Sequence, residues 1–99
     1  MTIKELAVES HWYQAKVVEN FSRSKMVSKG NTLYVKRQSD GTYLVFSGSP
    51  ERKPLIMSKE DVMIHLMMQG ACYANKSALL DRNLKAALEK LGRPVEFVK

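Results

Sequence analysis

Two runs of alternating apolar and polar residues surround Asp40 and Gly41 in the stretch 32–48. Such alternation places every second side chain on one face of a β-strand, and Asp-Gly is a favoured pair for a two-residue type I′ turn. The pattern predicts a β-hairpin in which Val35 faces Phe46. In this register the core face carries Leu33, Val35, Leu44 and Phe46, and the opposite face carries Tyr34, Lys36, Gln38, Tyr43 and Val45.

Thr2 and Glu5 form a capping-box pattern, in which each side chain bonds a free backbone N–H at the start of a helix. Apolar residues at helical spacing follow and predict an N-terminal helix over about residues 3–20. Two further helices are predicted, a strongly apolar one over residues 59–69 and an amphipathic one over residues 77–91. The expected fold is α+β, with an N-terminal helix, a small antiparallel sheet built on the 32–48 hairpin and two C-terminal helices.

The composition fits one domain over residues 1–99. Hydrophobic residues make up 44% of the chain and charged residues 26%, which suits one modest core. Short runs at residues 55–57 and 95–98 favour additional strands. Cys72 is the only cysteine, so no intrachain disulfide can form. No stretch reaches the roughly 20 apolar residues of a membrane span, and these features predict a cytoplasmic protein with no membrane partner.

The balance of charge favours polyanionic partners, because sixteen Lys and Arg against ten Asp and Glu give a formal net charge of +6. Residues 20–38 contain five of these cations and no acid. Cations bind phosphates, and tyrosine rings on an exposed strand can stack bases. The sequence predicts a nucleic-acid-binding surface, with RNA favoured over duplex DNA, formed by Arg23, Lys25, Lys29, Tyr34, Lys36, Arg37 and Tyr43.

Two alternatives remain open at this point. The hairpin face could instead pack against the N-terminal helix, which would bury both tyrosine rings. The protein could also be an inhibitor or regulator, of the kind that phages and mobile elements encode, which docks on an acidic protein or a nucleoprotein target. Methionines cluster around the predicted helix 59–69, and a helix that is apolar on most sides is buried or forms an interface. A protein target or a homodimer would use this Met-rich helix.

The chain carries no motif for catalysis or for metal or cofactor binding. His11, His65 and Cys72 lack the spacing of metal ligands, and there is no glycine-rich phosphate loop or nucleophile elbow. Cys72 and His65 could in principle form a nucleophile and its base. A lone cysteine, however, is most often a small buried residue. The sequence therefore predicts a non-enzymatic protein with no metal and no cofactor.

Overall fold

The computed structural model describes residues 11–91. Their strands form one antiparallel sheet in the order β4-β3-β2-β1-β5, with β1 at Tyr13–Val17, β2 at Thr32–Arg37, β3 at Tyr43–Phe46, β4 at Leu55–Met57 and β5 at Leu66–Ala71. Two helices complete this part of the chain, α1 at Lys59–His65 and α2 at Ala74–Leu91. The molecule is α+β, but the predicted order of its elements is wrong for residues 11–91, in which strands come before both helices. Neither described helix combines the length and the hydropathy that crossing a membrane requires.

The predicted N-terminal helix is wrong where residues 11–20 are concerned, because β1 occupies their centre. Buried and exposed side chains alternate along this strand, with Tyr13, Ala15 and Val17 buried. A period of two is the pattern of a half-buried strand and not of a helix. The earlier part of the predicted helix, residues 3–10, lies outside the described residues.

The predicted helix over residues 59–69 is correct in its first half only. Ser58 caps α1, because its Oγ accepts a hydrogen bond from the backbone N–H of Asp61 at 3.2 Å. At Leu66 the backbone becomes extended, and β5 pairs antiparallel with β1. A short apolar run has no periodicity that separates a helix from a buried strand. Here the run forms a strand because the edge of β1 is available for pairing.

The other C-terminal predictions agree more closely with the structure. The strand predicted at residues 55–57 is β4. The helix predicted over residues 77–91 is α2, which begins three residues earlier, at Ala74. The strand favoured at residues 95–98 lies outside the described residues.

The predicted hairpin is present, but its register differs by one residue. Val35 lies opposite Val45, and Tyr34 lies opposite Phe46. Because successive side chains point to opposite faces, a shift of one residue moves a whole strand's side chains to the other face. Tyr43 therefore shares a face with Val35 and not with Tyr34.

The turn explains this shift, since its loop has three residues and not two. The Gln38 N–H donates to the Thr42 carbonyl at 2.8 Å, and the Gly41 N–H donates to the Gln38 carbonyl at 3.1 Å. Gly41 has a φ of 88°, whereas no non-glycine residue in the described chain has a positive φ. A type I′ turn requires positive φ at both central residues, whereas Asp40 has a negative φ. The turn is therefore not of type I′, and its two hydrogen bonds fit a type I turn followed by a bulge at Gly41.

Both faces of the sheet are covered by other elements. The first, the α1 face, packs against Val62 of α1 and against Phe21 and Val27 of the β1–β2 loop; its sheet residues include Ala15, Leu33, Val35, Tyr43, Val45, Leu55 and Met57. The second, the α2 face, carries Trp12, Leu44 and Phe46, which pack against Leu80 and Ala87 of α2. Because α2 covers only part of its face, the rest of that face defines the surface described next.

Candidate nucleic-acid interface

The fold separates the seven residues that were predicted to form one surface. Arg23, Lys25 and Lys29 are exposed in the loop between β1 and β2, whereas Arg37 is exposed at the far end of β2. At about 3.3 Å per residue, roughly 17 Å of backbone separates the two ends of this strand. The acid-free run of sequence is therefore not one patch on the molecule.

The two predicted tyrosines lie on opposite faces of the sheet. Tyr43 is 2% exposed and belongs to the core of the α1 face, where desolvation raises the pKa of its hydroxyl and the charge of Arg37 partly opposes this. Tyr34 is half-buried on the α2 face, and the Lys76 ammonium lies 5.0 Å from its ring centroid. Of these two rings, only that of Tyr34 lines a cleft that a ligand can enter.

Lys36 is engaged within the protein. Its ammonium lies 3.2 Å from a carboxylate oxygen of Asp81 and 5.6 Å from the ring centroid of Trp12. The indole N–H of Trp12 donates to the same oxygen at 2.7 Å. These three residues connect β2 and the start of β1 to α2. The main role of Lys36 is therefore in these contacts within the protein, and any contact with a phosphate is secondary.

A cleft of about 420 Å³ opens where the start of α2 meets β1 and β5. We call it the tyrosine cleft, because Tyr34 and Tyr73 line it together with Gln14, Gln69 and Lys76. Tyr73 is 84% exposed, and the Gln14 side chain donates to Gln69 at 2.9 Å. Among the described residues, none that lines this cleft is acidic.

A second cleft, of about 330 Å³, lies at the end of the sheet where β2 begins. We call it the basic cleft, because Lys25 and Arg52 bring two cations to it from different loops. Neutral hydrogen-bonding side chains complete much of its lining, namely Asn31, Thr32, Ser47 and Ser49. The part of its lining that belongs to residues 11–91 also includes no acidic residue.

Strand β2 connects the two clefts. Thr32 of the basic cleft and Tyr34 of the tyrosine cleft lie two positions apart on one face, a spacing of about 7 Å. Lys16 is exposed on β1 directly opposite Thr32 and adds a cation between them. The two clefts and Lys16 together form what we call the acid-free surface, which carries Lys16, Lys25, Arg52, Lys76, Tyr34 and Tyr73.

The sequence predicted only part of this surface. Lys25 and Tyr34 were predicted, whereas Lys16, Arg52, Lys76 and Tyr73 were not among the predicted site residues. The missing signal is the pairing of β1 with β2, which places Lys16 beside Thr32. Arg52 likewise reaches the basic cleft only through the fold of the β3–β4 loop.

A third cleft has a different character. Its volume is about 630 Å³, and it lies between α1 and the β1–β2 loop. Glu60 and Asp61 contribute carboxylates to its lining, which disfavours phosphate. His65 also lines it, with Nδ1 3.1 Å from the Glu19 carbonyl oxygen and its ring edge-on to Phe21 at 4.9 Å.

Cys72 and His65 do not form a nucleophile and base. The Cys72 N–H donates to the Trp12 carbonyl at the start of β1, whereas the His65 carbonyl accepts from Val18 just beyond its end. The whole of β5 lies between them. Among the described residues, no group of His, Cys, Asp and Glu could hold a metal ion.

The Cys72 thiol is expected to react slowly with iodoacetamide at neutral pH. Desolvation raises its pKa, and the nearby Lys76 ammonium only partly offsets this. Because the thiolate is the reactive form, the alkylation rate should rise at a higher pH in the folded protein than in the urea-unfolded chain. Mass spectrometry of timed labelling measures this, and equal rates at every pH would contradict it.

The acid-free surface combines cations, aromatic rings and neutral hydrogen-bonding groups, which is the chemistry that a flexible polyanion with flat bases requires. In proteins that bind single strands, cationic side chains contact phosphates and aromatic rings stack on bases. Comparisons with protein-family models, curated proteins and solved structures find no match for this chain.

Proposed function

We propose that the protein binds single-stranded nucleic acid on the acid-free surface, with RNA favoured over DNA. The observation that carries this proposal is that two clefts, each lined by no carboxylate of residues 11–91, lie along β2 and include Thr32 and Tyr34 on one face of it. Single strands are bound by a cationic groove that follows the backbone, together with aromatic rings on which bases stack. The formal net charge of +6 adds long-range attraction.

The residues of this surface have distinct roles in the proposal. Lys16, Lys25, Arg52 and Lys76 neutralise phosphates, which requires charge more than fixed geometry. The rings of Tyr34 and Tyr73 stack bases. Neutral groups such as those of Thr32 and Gln14 supply hydrogen-bond partners for the ribose 2′-hydroxyl, which is the group that distinguishes RNA from DNA.

Helix α2 supports a single-stranded ligand over a duplex. Its apolar side packs on the sheet through Leu80 and Ala87, so that side cannot enter a major groove. Its exposed positions mix both signs of charge, with Arg82 and Lys85 alongside Asp81 and Glu89. A helix that reads a groove between two phosphate backbones does not normally present carboxylates on its exposed side.

The proposed role is non-enzymatic. The separation of Cys72 from His65 along the whole of β5 removes the nucleophile and base considered from the sequence. The proposal therefore requires binding alone, as in a small accessory protein that covers or delivers RNA.

The tyrosines provide a matched test of the binding face. Tyr73→Ala removes an exposed ring, and Tyr34→Leu removes a ring while keeping apolar bulk against Gly48 and α2. Because stacking contributes about 1–3 kcal/mol per base, each change should weaken binding about 5- to 150-fold. Tyr43→Phe is the control, since its ring is buried on the other face, and it should bind like the wild type.

The measurement is fluorescence anisotropy of a labelled single-stranded RNA at low salt, with circular dichroism to verify folding. Unchanged binding by both Tyr34→Leu and Tyr73→Ala would contradict the proposed surface. A loss in Tyr43→Phe equal to theirs would contradict it as well, because that residue does not line either cleft.

A further inference from the structure

The floor of the tyrosine cleft is a row of positions that crosses three strands. Gln14 of β1 lies directly opposite Tyr34 of β2 on one side and Gly70 of β5 on the other. Adjacent strands lie about 4.8 Å apart, so the row extends over about 10 Å. Gly70 lines the cleft without adding a side chain to it. The row therefore leaves room for a flat ring beside the Gln14 amide.

Two amide side chains are joined at this floor. The Gln14 side chain donates to Gln69 at 2.9 Å, and both residues line the cleft. An amide group has two N–H donors and an oxygen that can accept two hydrogen bonds. The bond between the two amides uses only one donor and one acceptor site, so the pair keeps both donors and acceptors for a ligand that carries polar groups on its edge.

Lys76 adds a group that can only donate. Its ammonium lies 5.0 Å from the ring centroid of Tyr34. The Tyr73 carbonyl accepts from the Ser77 N–H at 2.9 Å, so Tyr73 lies at the start of the first turn of α2, and Lys76 follows it by three positions on the same side of that turn. Lys76 forms no ion pair within residues 11–91. A base that stacks on either tyrosine ring thus has a free ammonium within reach of its edge.

These groups together favour guanine among the four bases of RNA. Guanine presents two adjacent acceptors, O6 and N7, which are common partners of lysine, whereas adenine has an amino donor at the equivalent position. In a single strand the Watson–Crick edge is also accessible, so the N1–H and amino group of guanine can donate to a glutamine oxygen. Uracil and cytosine also carry acceptors, but their single ring offers less area for stacking on tyrosine.

We infer that the tyrosine cleft binds a guanine base of single-stranded RNA and that Lys76 determines this preference. The inference rests on the proposed RNA binding and adds a base to it. Lys76 donates to O6 and N7, the amide pair of Gln14 and Gln69 accepts from the Watson–Crick edge, and a tyrosine ring stacks on the base. Contacts to phosphates carry no sequence information, so the preference applies to the one nucleotide in this cleft.

The test compares labelled single-stranded RNAs that consist of uridine except for one central nucleotide. Fluorescence anisotropy with the wild-type protein should show that the guanine strand binds about 5- to 150-fold more tightly than the adenine strand, the range for one well-formed paired contact to a base. A strand with 7-deazaguanine, which has C–H in place of N7, should bind less tightly than the guanine strand because Lys76 loses an acceptor.

Two lysine variants separate base recognition from general attraction to phosphate. Lys76→Met keeps the apolar part of the side chain and removes its donors, so it should bind the guanine and adenine strands about equally. Lys25→Met is the matched control, since it removes the same charge from the basic cleft. It should bind both strands more weakly than the wild type and retain the preference for guanine.

The outcomes distinguish this inference from the proposed function. Equal, salt-dependent binding of the guanine and adenine strands by the wild type would overturn the guanine site and leave RNA binding on the acid-free surface in place. A Lys76→Met variant, verified as folded, that keeps the full preference would overturn the role of Lys76. Undetectable binding to every strand at low salt would overturn the guanine site and the proposed function together.

Discussion

Replacing Trp12 by alanine is expected to destabilise the protein by about 3–5 kcal/mol, the range for truncation of a buried large aromatic side chain. Trp12 is fully buried, and its ring centroid lies 6.1 Å from that of Phe46. Its N–H also donates to Asp81 at 2.7 Å, so the change removes both packing and a connection to α2. Urea unfolding followed by circular dichroism measures the loss.

Trp12→Phe is the matched variant, because it keeps much of the apolar volume and removes the indole hydrogen bond. Hydrogen bonds to charged groups contribute about 1.5–3 kcal/mol, so its stability should fall between those of the wild type and Trp12→Ala. A loss below about 1 kcal/mol for Trp12→Ala would contradict the packing of α2 on this face, since such small effects are typical of surface substitutions.

Reversing two charges on the acid-free surface is expected to weaken RNA binding by about 100-fold or more at low salt, because two phosphate contacts become repulsive. Lys16 and Lys76 suit this change, since neither forms an ion pair within the described residues. In the double variant Lys16→Glu and Lys76→Glu, the slope of log affinity against log salt should become shallower by about 1.4, at 0.7 for each lost contact with a single strand.

The control for this variant changes net charge by the same amount elsewhere. Arg82 and Lys85 are exposed on α2 and line neither cleft. Arg82→Glu with Lys85→Glu should reduce the affinity much less and leave the salt slope close to that of the wild type. Equal losses in the two double variants would show that net charge, and not the acid-free surface, determines binding.

Elements with strong local signals could be predicted from the sequence. The Ser58 cap of α1 and the helix that ends at Leu91 follow from capping residues and helical spacing. Strand β1 could not be predicted in this way, because five alternating residues are a short signal. Its stability comes from pairing with β2 and β5, which lie far away in the sequence.

The prediction of the site residues depended on the number of residues in the hairpin loop. Asp-Gly suits a two-residue loop, but the chain places positive φ on Gly41 alone. The resulting shift of one residue moved Tyr43 into the core and left Tyr34 on the α2 face. Local sequence does not distinguish these turns, and the choice between them decides which tyrosine ring lines a cleft and which is buried in the core.

The cations of the site could be predicted as charges but not as a group. Residues 20–38 supply Lys25 to the acid-free surface, whereas Arg37 of the same run is exposed at the opposite end of β2. Arg52 and Lys76 join Lys25 from distant parts of the chain. Strand order and loop folding bring them together, and neither is encoded within a short window of sequence.

The central claim, RNA binding on the acid-free surface, is tested most directly by titrating nucleic-acid-free wild-type protein into a labelled single-stranded RNA at several salt concentrations. With four cations at phosphates, log affinity should fall against log salt with a slope of about −2.8. Undetectable binding at low salt, or binding that does not change with salt, would contradict the account.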